Sequence, residues 1–226
     1  LQVLYKEYKN ESKDGIDYES FDGSLSHLFF MIAAPEGENE VHLEVLARLS
    51  TILMDEEFRK TLINAKDKKE FLNLIDKKEK ENIAREVLND LPEWFGLPES
   101  TENYIKDSQK KPFIASFFND ELVGFIVLGA SSSDCAEIFV MGVKKKFHHH
   151  GAGRELNKAY EDLAKSLGYT YTQVKTVQSG HYDDYDITNK FYKAVGYKEL
   201  EVFPNLWDEL NPCQIYVKYL GEWKKC

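Results

Sequence analysis

The stretch from Ile138 to Leu156 constrains this chain more than any other. The apolar run Ile138–Val143 stops at Lys144-Lys145-Lys146. Phe147, three histidines (His148, His149, His150) and Gly151-Ala152-Gly153 follow, and a helical pattern starts at once. Strand, tight cationic loop and helix start, in that order, present free backbone N–H groups and a positive helix end to an anion. We read the loop as the holder of a coenzyme pyrophosphate.

The surrounding pattern extends this reading. Phe113–Phe118 and Leu122–Ala130 read as strands joined by a hairpin at Asn119-Asp120, and Ala136–Lys144 returns as a third. Ala152–Leu167 carries Leu156, Ala159, Tyr160, Leu163, Ala164 and Leu167 at helical spacing, with Gly168 as its stop signal. Tyr171–Val177 alternates as a strand, Ile187–Val195 reads as a helix closed by Gly196, and Lys198–Phe203 and Gln214–Tyr219 are the last strands. Upstream, Pro92–Gly96 is an aromatic turn, and Glu99–Gln109 is a helix capped by Ser100 or Thr101. The order is β-β-β-α-β-α-β-β. The step from the third to the fourth strand is long enough for a parallel crossover, and a ligand loop at such a strand end is a usual site.

Ala136-Glu137-Ile138, Val143, His148-x-x-Gly151-x-Gly153 and Phe191-Tyr192-x-x-x-Gly196-Tyr197 together resemble the GNAT superfamily of acetyl-CoA-dependent N-acetyltransferases, over about residues 83–220. The resemblance implies an α+β fold with a mixed, mostly antiparallel sheet flanked by helices. It implies direct transfer of an acetyl group from acetyl-CoA to the amine of a small molecule. Coenzyme binding falls to Met141, Gly142 and Val143 on the strand and to His148, His149, His150, Gly151, Ala152, Gly153 and Arg154 on the loop, with Lys144–Lys146 and Arg154 supplying charge. Tyr192 is implied as the acid for the leaving thiolate, and Glu137 as the base, directly or through water. His181 is the rival base. The family usually has Gln or Arg where this chain has His148, whereas backbone contacts need only the glycines and the helix start. The acids and tyrosines of Ser179–Asp186 suit a cationic amine, so His181, Asp183 and Tyr185 are candidate substrate contacts. Adjacent histidines do not converge their rings, so His148–His150 is read as no metal site.

Composition bounds the alternatives. The chain has 226 residues, is 42% hydrophobic and 13% aromatic, and carries a net charge of −10. This is a globular composition, and the charge argues against nucleic acid as a partner. Leu28–Ala34 and Leu122–Ala130 are too short for a membrane span, and no signal-peptide pattern is present. Three widely spaced cysteines without C-x-x-C suit reduced thiols in a bacterial cytoplasm.

The first third reads differently. Leu1–Tyr8 has helical spacing, and Ile16–Ser20 and Leu25–Ala34 read as a hairpin about Asp22-Gly23, the second strand buried. Val41–Leu53 reads as an amphipathic helix, Asp55 caps a short helix through Leu62, and Asp67 caps another carrying Phe71, Leu72, Leu74 and Ile75. Leu72–Ile75 is equally readable as the opening strand of the second domain. Lys77–Asn82 is a charge cluster, and the division is placed at 1–76 and 77–226. Gly15-Ile16-Asp17-Tyr18, Asp22-Gly23, Leu28–Pro35 and His42–Ala47 resemble the C-terminal half of a phosphotransferase-system (PTS) EIIA domain of the fructose/mannitol type, a partial α/β segment. That family's phosphorylated histidine falls upstream of residue 1, and His42 matches a second histidine beside it. With Leu rather than Met at position 1, the segment is expected to be a fragment or a remnant lacking its phosphorylatable histidine. The alternative function is a PTS-linked regulatory or acyl-CoA-sensing protein, with residual PTS contact.

Overall fold

The computed structural model describes residues 15–30, 39–119 and 121–221. The chain divides into two compact units between Glu79 and Lys80.

In the first unit, α1 (Asn39–Leu53), α2 (Glu56–Ile63) and the start of α3 (Lys68–Asn89) bury Ile52, Phe58, Leu62 and Phe71. Asp55 caps α2 as its sequence implies, its carboxylate accepting from the Phe58 N–H at 3.0 Å. Asp67 accepts from the Glu70 N–H at 2.8 Å. The expected hairpin is reduced to one antiparallel bridge between Ile16 and Ser26, and Leu25 and Phe29 are about half exposed rather than buried. Among the described residues no third strand covers the two, and an isolated pair does not sustain a ladder. The expected helix Leu1–Tyr8, residues Met31–Ala34 and the side chain of His42 lie outside the described residues. Leu72–Ile75 is helical, and α3 continues through the charge cluster to Asn89.

The second unit carries the expected mixed sheet. Its strands are β1 (Phe113–Phe118), β2 (Glu121–Ala130), β3 (Cys135–Val143), β4 (Tyr171–Val177), β5 (Lys198–Asp208) and β6 (Asn211–Tyr219), in the order β1-β2-β3-β4-β6-β5. All neighbours are antiparallel except β3 and β4. β2 is buried almost throughout, because both faces of the sheet are covered. One face packs Leu156, Tyr160 and Ala164 of α5 (Ala152–Ser166) and Tyr192 of α6 (Asp183–Ala194) on Ile126, Ile138, Val174 and Tyr216. The other packs Ala84, Val87, Leu88 and Leu91 of α3 and Ile105 of α4 (Pro98–Ser108) on Phe125, Val127 and Val140.

Two helix starts differ from expectation. α4 opens with Pro98 in its first turn and Leu97 as an uncapped N-cap; Thr101 instead donates to the carbonyls of Phe95 and Leu97. Proline's fixed φ favours the first helical position and outweighs a hydroxyl cap. α6 begins at Asp183, ahead of its apolar stripe, because Asp183, Asp184 and Asp186 in the first turn suit the positive helix end.

The buried phenols of this unit set an alkaline limit. Burial pushes the phenols of Tyr160, Tyr192 and Tyr197 well above their ordinary 10.0. A raised folded value means that their contribution is fully present below about pH 10 and is lost as pH climbs toward the folded values. Each contributes at most about 1.4 kcal/mol of lost stability per pH unit in that window. Denaturant midpoints measured between pH 8 and pH 11.5 are expected to be flat at first and then to fall steeply. A flat profile across the whole range contradicts this.

Candidate active site

β3 and β4 pair in parallel only through Cys135/Tyr171, Ala136/Thr172 and Glu137/Gln173. Beyond Glu137 they separate, and β3 runs on to Val143 with no strand partner on that side among the described residues. The Lys144 N–H donates to the Val123 carbonyl at 2.8 Å. Strand alternation therefore turns the N–H groups of Met141 and Val143 away from β2, into the gap. This is a switch point of the sheet, where a cleft is built by topology alone.

The loop after β3 closes one end of that cleft. A single 3-10 turn, Lys145–Phe147, leads to His149 at φ 62° and Gly151 at φ 89°, and α5 starts at Ala152 with no side-chain cap. Gly151 takes a left-handed conformation that costs a side-chain-bearing residue strain. The N–H groups of His149, His150, Gly151, Ala152 and Gly153 make no hydrogen bond to a described residue. Five consecutive donors without a partner among the described residues, at a helix start, are an arrangement that suits an anion. At Gly153 a Cβ would stand 3.2 Å from the Phe191 ring and 3.6 Å from Met141 Cε. The helix start, the end of β3 and α6 thus meet at this glycine.

The charges around the loop differ from expectation. Lys144 is ion-paired with Glu86, Lys145 with Glu93 at 2.6 Å, and Lys146 with Glu121. The three lysines are therefore already matched by carboxylates of α3, the turn after it and β2. Arg154 is exposed and has no ion pair among the described residues, so it is the loop's available cation. The His148 ring is turned back, with Nε2 2.7 Å from the Val143 carbonyl and its edge against Trp94 at a centroid distance of 6.1 Å. It braces the strand end rather than reaching outward. The His148 and His149 rings stand nearly perpendicular with centroids 6.3 Å apart, and among the described residues no cluster of three ligand side chains suits a metal.

Tyr192 is buried on the α5/α6 face between Tyr197 and Tyr216, at centroid distances of 5.8 and 6.2 Å. Its hydroxyl makes no hydrogen bond to a described residue. Burial pushes its phenol well above its ordinary value, so it is protonated at neutral pH. One turn earlier, fully buried Asn189 donates to the Val177 carbonyl at 2.9 Å and accepts from the Tyr216 hydroxyl at 2.8 Å, which fixes α6 against the separating end of β4.

Glu137 faces the opposite side of the sheet. Its carboxylate accepts from Gln173 Nε2 at 3.0 Å and from Lys175 Nζ at 3.0 Å to each oxygen. Burial pushes the phenol of nearby Tyr104 up, with Glu137 adding to the push and Lys175 opposing it. Burial likewise raises the Cys213 thiol to about 11. Of the other candidates, His181 and Asp183 are exposed on the surface. Tyr185 is half-buried and donates to the Trp94 carbonyl at 3.1 Å, while Trp94 Nε1 donates to Thr188 at 3.0 Å. Asp186 is spent on its own loop, accepting from Ser179 and Gly180 at 2.7 Å each. Asn189, Lys175 and Trp94 lie in elements that the sequence indicates, but no motif in the sequence singles them out as site residues. Only Lys175 carried a usable signal, because strand alternation places it with Gln173 on one face of β4.

A family model described as "Acetyltransferase (GNAT) family" matches residues 80–197. Another, for the phosphoenolpyruvate-dependent sugar phosphotransferase system EIIA 2, matches residues 10–78. The fructose-specific EIIABC component of the phosphotransferase system of Bacillus subtilis (strain 168) is 67% identical over 54 residues, which is 24% of this chain. That match spans only 8% of the relative's length. Among solved structures, a putative GNAT-family acetyltransferase from Desulfovibrio desulfuricans is similar with a TM-score of 0.53 and 17% identity, covering 62% of this chain and 94% of that one. An aminoglycoside 6'-N-acetyltransferase complexed with coenzyme A gives a TM-score of 0.52 and 19% identity, covering 65% and 93%. At these identities the structural likeness concerns the fold.

Proposed function

The chain belongs to the GNAT acetyltransferase family, and from that premise we propose that it is a cytoplasmic acetyl-CoA-dependent N-acetyltransferase acting on a small-molecule amine. The observation that carries the proposal is the run of five free amides from His149 to Gly153 beside the unpaired end of β3. The N–H groups at the start of α5, with Arg154, suit a pyrophosphate, and the Met141 and Val143 N–H groups suit an extended amide-bearing arm and a polarised carbonyl. When bound, acetyl-CoA would supply an acetyl group already activated as a thioester. The likeness to a coenzyme A complex of an aminoglycoside acetyltransferase supports this choice of co-substrate and an amine acceptor.

In this reading Glu137 takes the proton released by the attacking amine, and Tyr192 delivers one to the leaving sulfur. The two stand on opposite faces of the sheet, and the separation of β3 and β4 is the route between them. His181 and Asp183, exposed at the start of α6, are left as outer contacts for a cationic acceptor, and Tyr185 as part of the acceptor wall. The EIIA-like segment has no part in this chemistry. Its 67% identity to a PTS component favours the competing reading, a regulatory contact with that system. Transfer of label from a phosphocarrier onto His27 or His42 would decide for that second reading.

Calorimetry tests the main reading. Saturable acetyl-CoA binding is expected, weakened about tenfold by Arg154→Ala, since a charge-assisted hydrogen bond contributes roughly 1.5 kcal/mol. Absence of binding at millimolar coenzyme overturns it.

A further inference from the structure

The base proposed for the acceptor amine already holds an amine. Lys175 Nζ lies 3.0 Å from both oxygens of Glu137, and both side chains are largely buried, 32% and 18% exposed. Lys175 is rooted two residues past Gln173, the last β4 residue paired with β3, and reaches back across the point where the strands part. Its nitrogen is chemically a primary aliphatic amine, the same class as the acceptor. It stands where an acceptor nitrogen has to stand to give up its proton.

We propose that Lys175 is a self-acetylation site: the chain transfers an acetyl group from acetyl-CoA to its own Lys175 Nζ. This rests on the acetyltransferase reading and on Glu137 as its base. The Lys175 ammonium passes one proton to Glu137, and the freed lone pair forms the new C–N bond to the acetyl carbon. The C–S bond breaks, the sulfur keeps its electron pair, and Tyr192 supplies the proton that makes the thiol. The acylated nitrogen gives its second proton to solvent water, from which Tyr192 is reprotonated, and Glu137 releases its own proton to solvent, so one proton is released overall. The products are acetyl-lysine and coenzyme A, and no further reactant is required. Cys213 does not compete for the acetyl group, because it is fully buried and its thiol stays protonated at neutral pH. Acetylation also removes the cation from Glu137, leaving the carboxylate with the Gln173 amide. The acceptor side becomes more negative by one charge and better suited to a cationic amine.

The test uses the whole chain incubated with acetyl-CoA at neutral pH, digested and mapped by mass spectrometry, with coenzyme binding followed by calorimetry on the same preparation. Lys175 is expected to be acetylated about 10²-fold faster than the exposed Lys158 and Lys193, the span a positioned general base contributes. Glu137→Gln is expected to bring Lys175 down to the rate of those surface lysines, and Lys175→Arg to remove one acetyl group from the intact mass. Coenzyme binding with Lys175 unmodified, or modified equally fast in Glu137→Gln, overturns the proposal and leaves the acetyltransferase reading standing. No coenzyme binding at all overturns both. The wild-type map alone decides, whether or not the variants fold.

Discussion

Tyr192→Phe is expected to lower turnover by about 10²-fold or more, within the range for loss of a positioned general acid. It should leave acetyl-CoA affinity and Tm nearly unchanged. The separation of these effects comes from the site itself. The Tyr192 hydroxyl makes no hydrogen bond to a described residue, so its removal breaks no pair. The ring keeps its contacts with Tyr197 and Tyr216. Asn189, which fixes α6 to β4 and β6, is untouched. An effect confined to kcat identifies an interaction made only in the transition state, whereas an equal rise in KM would mark ordinary binding. Steady-state kinetics with a thiol-release readout, together with a thermal melt, gives both numbers. Unchanged turnover returns Tyr192 to the role of a core tyrosine.

What could be read from the sequence follows the range of the interactions concerned. β4 was legible residue for residue, because alternation between Tyr171 and Val177 is a local signal. α5 was legible for the same reason, from its apolar stripe and the glycines at either end. The turn into α5 that we propose for the coenzyme could be read because it depends on backbone geometry, which Gly151 and Gly153 announce. Its electrostatics could not. The partners of Lys144, Lys145 and Lys146 are Glu86, Glu93 and Glu121, each brought in from another element. Glu137 was found on its own strand, whereas Lys175, which occupies it, became its neighbour only through the parallel pairing of β3 with β4. The hairpin near the N-terminus failed for a different reason. Its turn residues are present, and Ser24 donates to Asp22 as such a turn requires, yet no further strand covers it among the described residues.

The largest expected loss of stability comes from a position with no chemistry. Gly124 on β2 faces Val143, and a Cβ there would stand 2.4 Å from the Gly142 carbonyl oxygen and 2.9 Å from the Val143 Cα. Both obstacles are backbone, so no rotamer change relieves the clash, and β3 itself has to move. Its other side gives no room. A Cβ on Gly142 would already meet Val87 Cγ1 at 2.8 Å, because α3 lies against the strand there. Gly124→Ala is therefore expected to cost about 3 kcal/mol or more, at the upper end of overpacking. The same shift would displace the Met141 and Val143 N–H groups and the loop that begins at Lys144. Coenzyme binding should then fall further than the remaining folded fraction explains. Gly168→Ala is the comparison, since nothing lies within 4 Å of its Cβ and only its φ of +92° is strained. It should cost about 1 kcal/mol and leave binding intact. Denaturant midpoints and calorimetry on the two variants separate these outcomes, and equal losses would mean that β2 and β3 tolerate a wider spacing than the Gly124 contact implies.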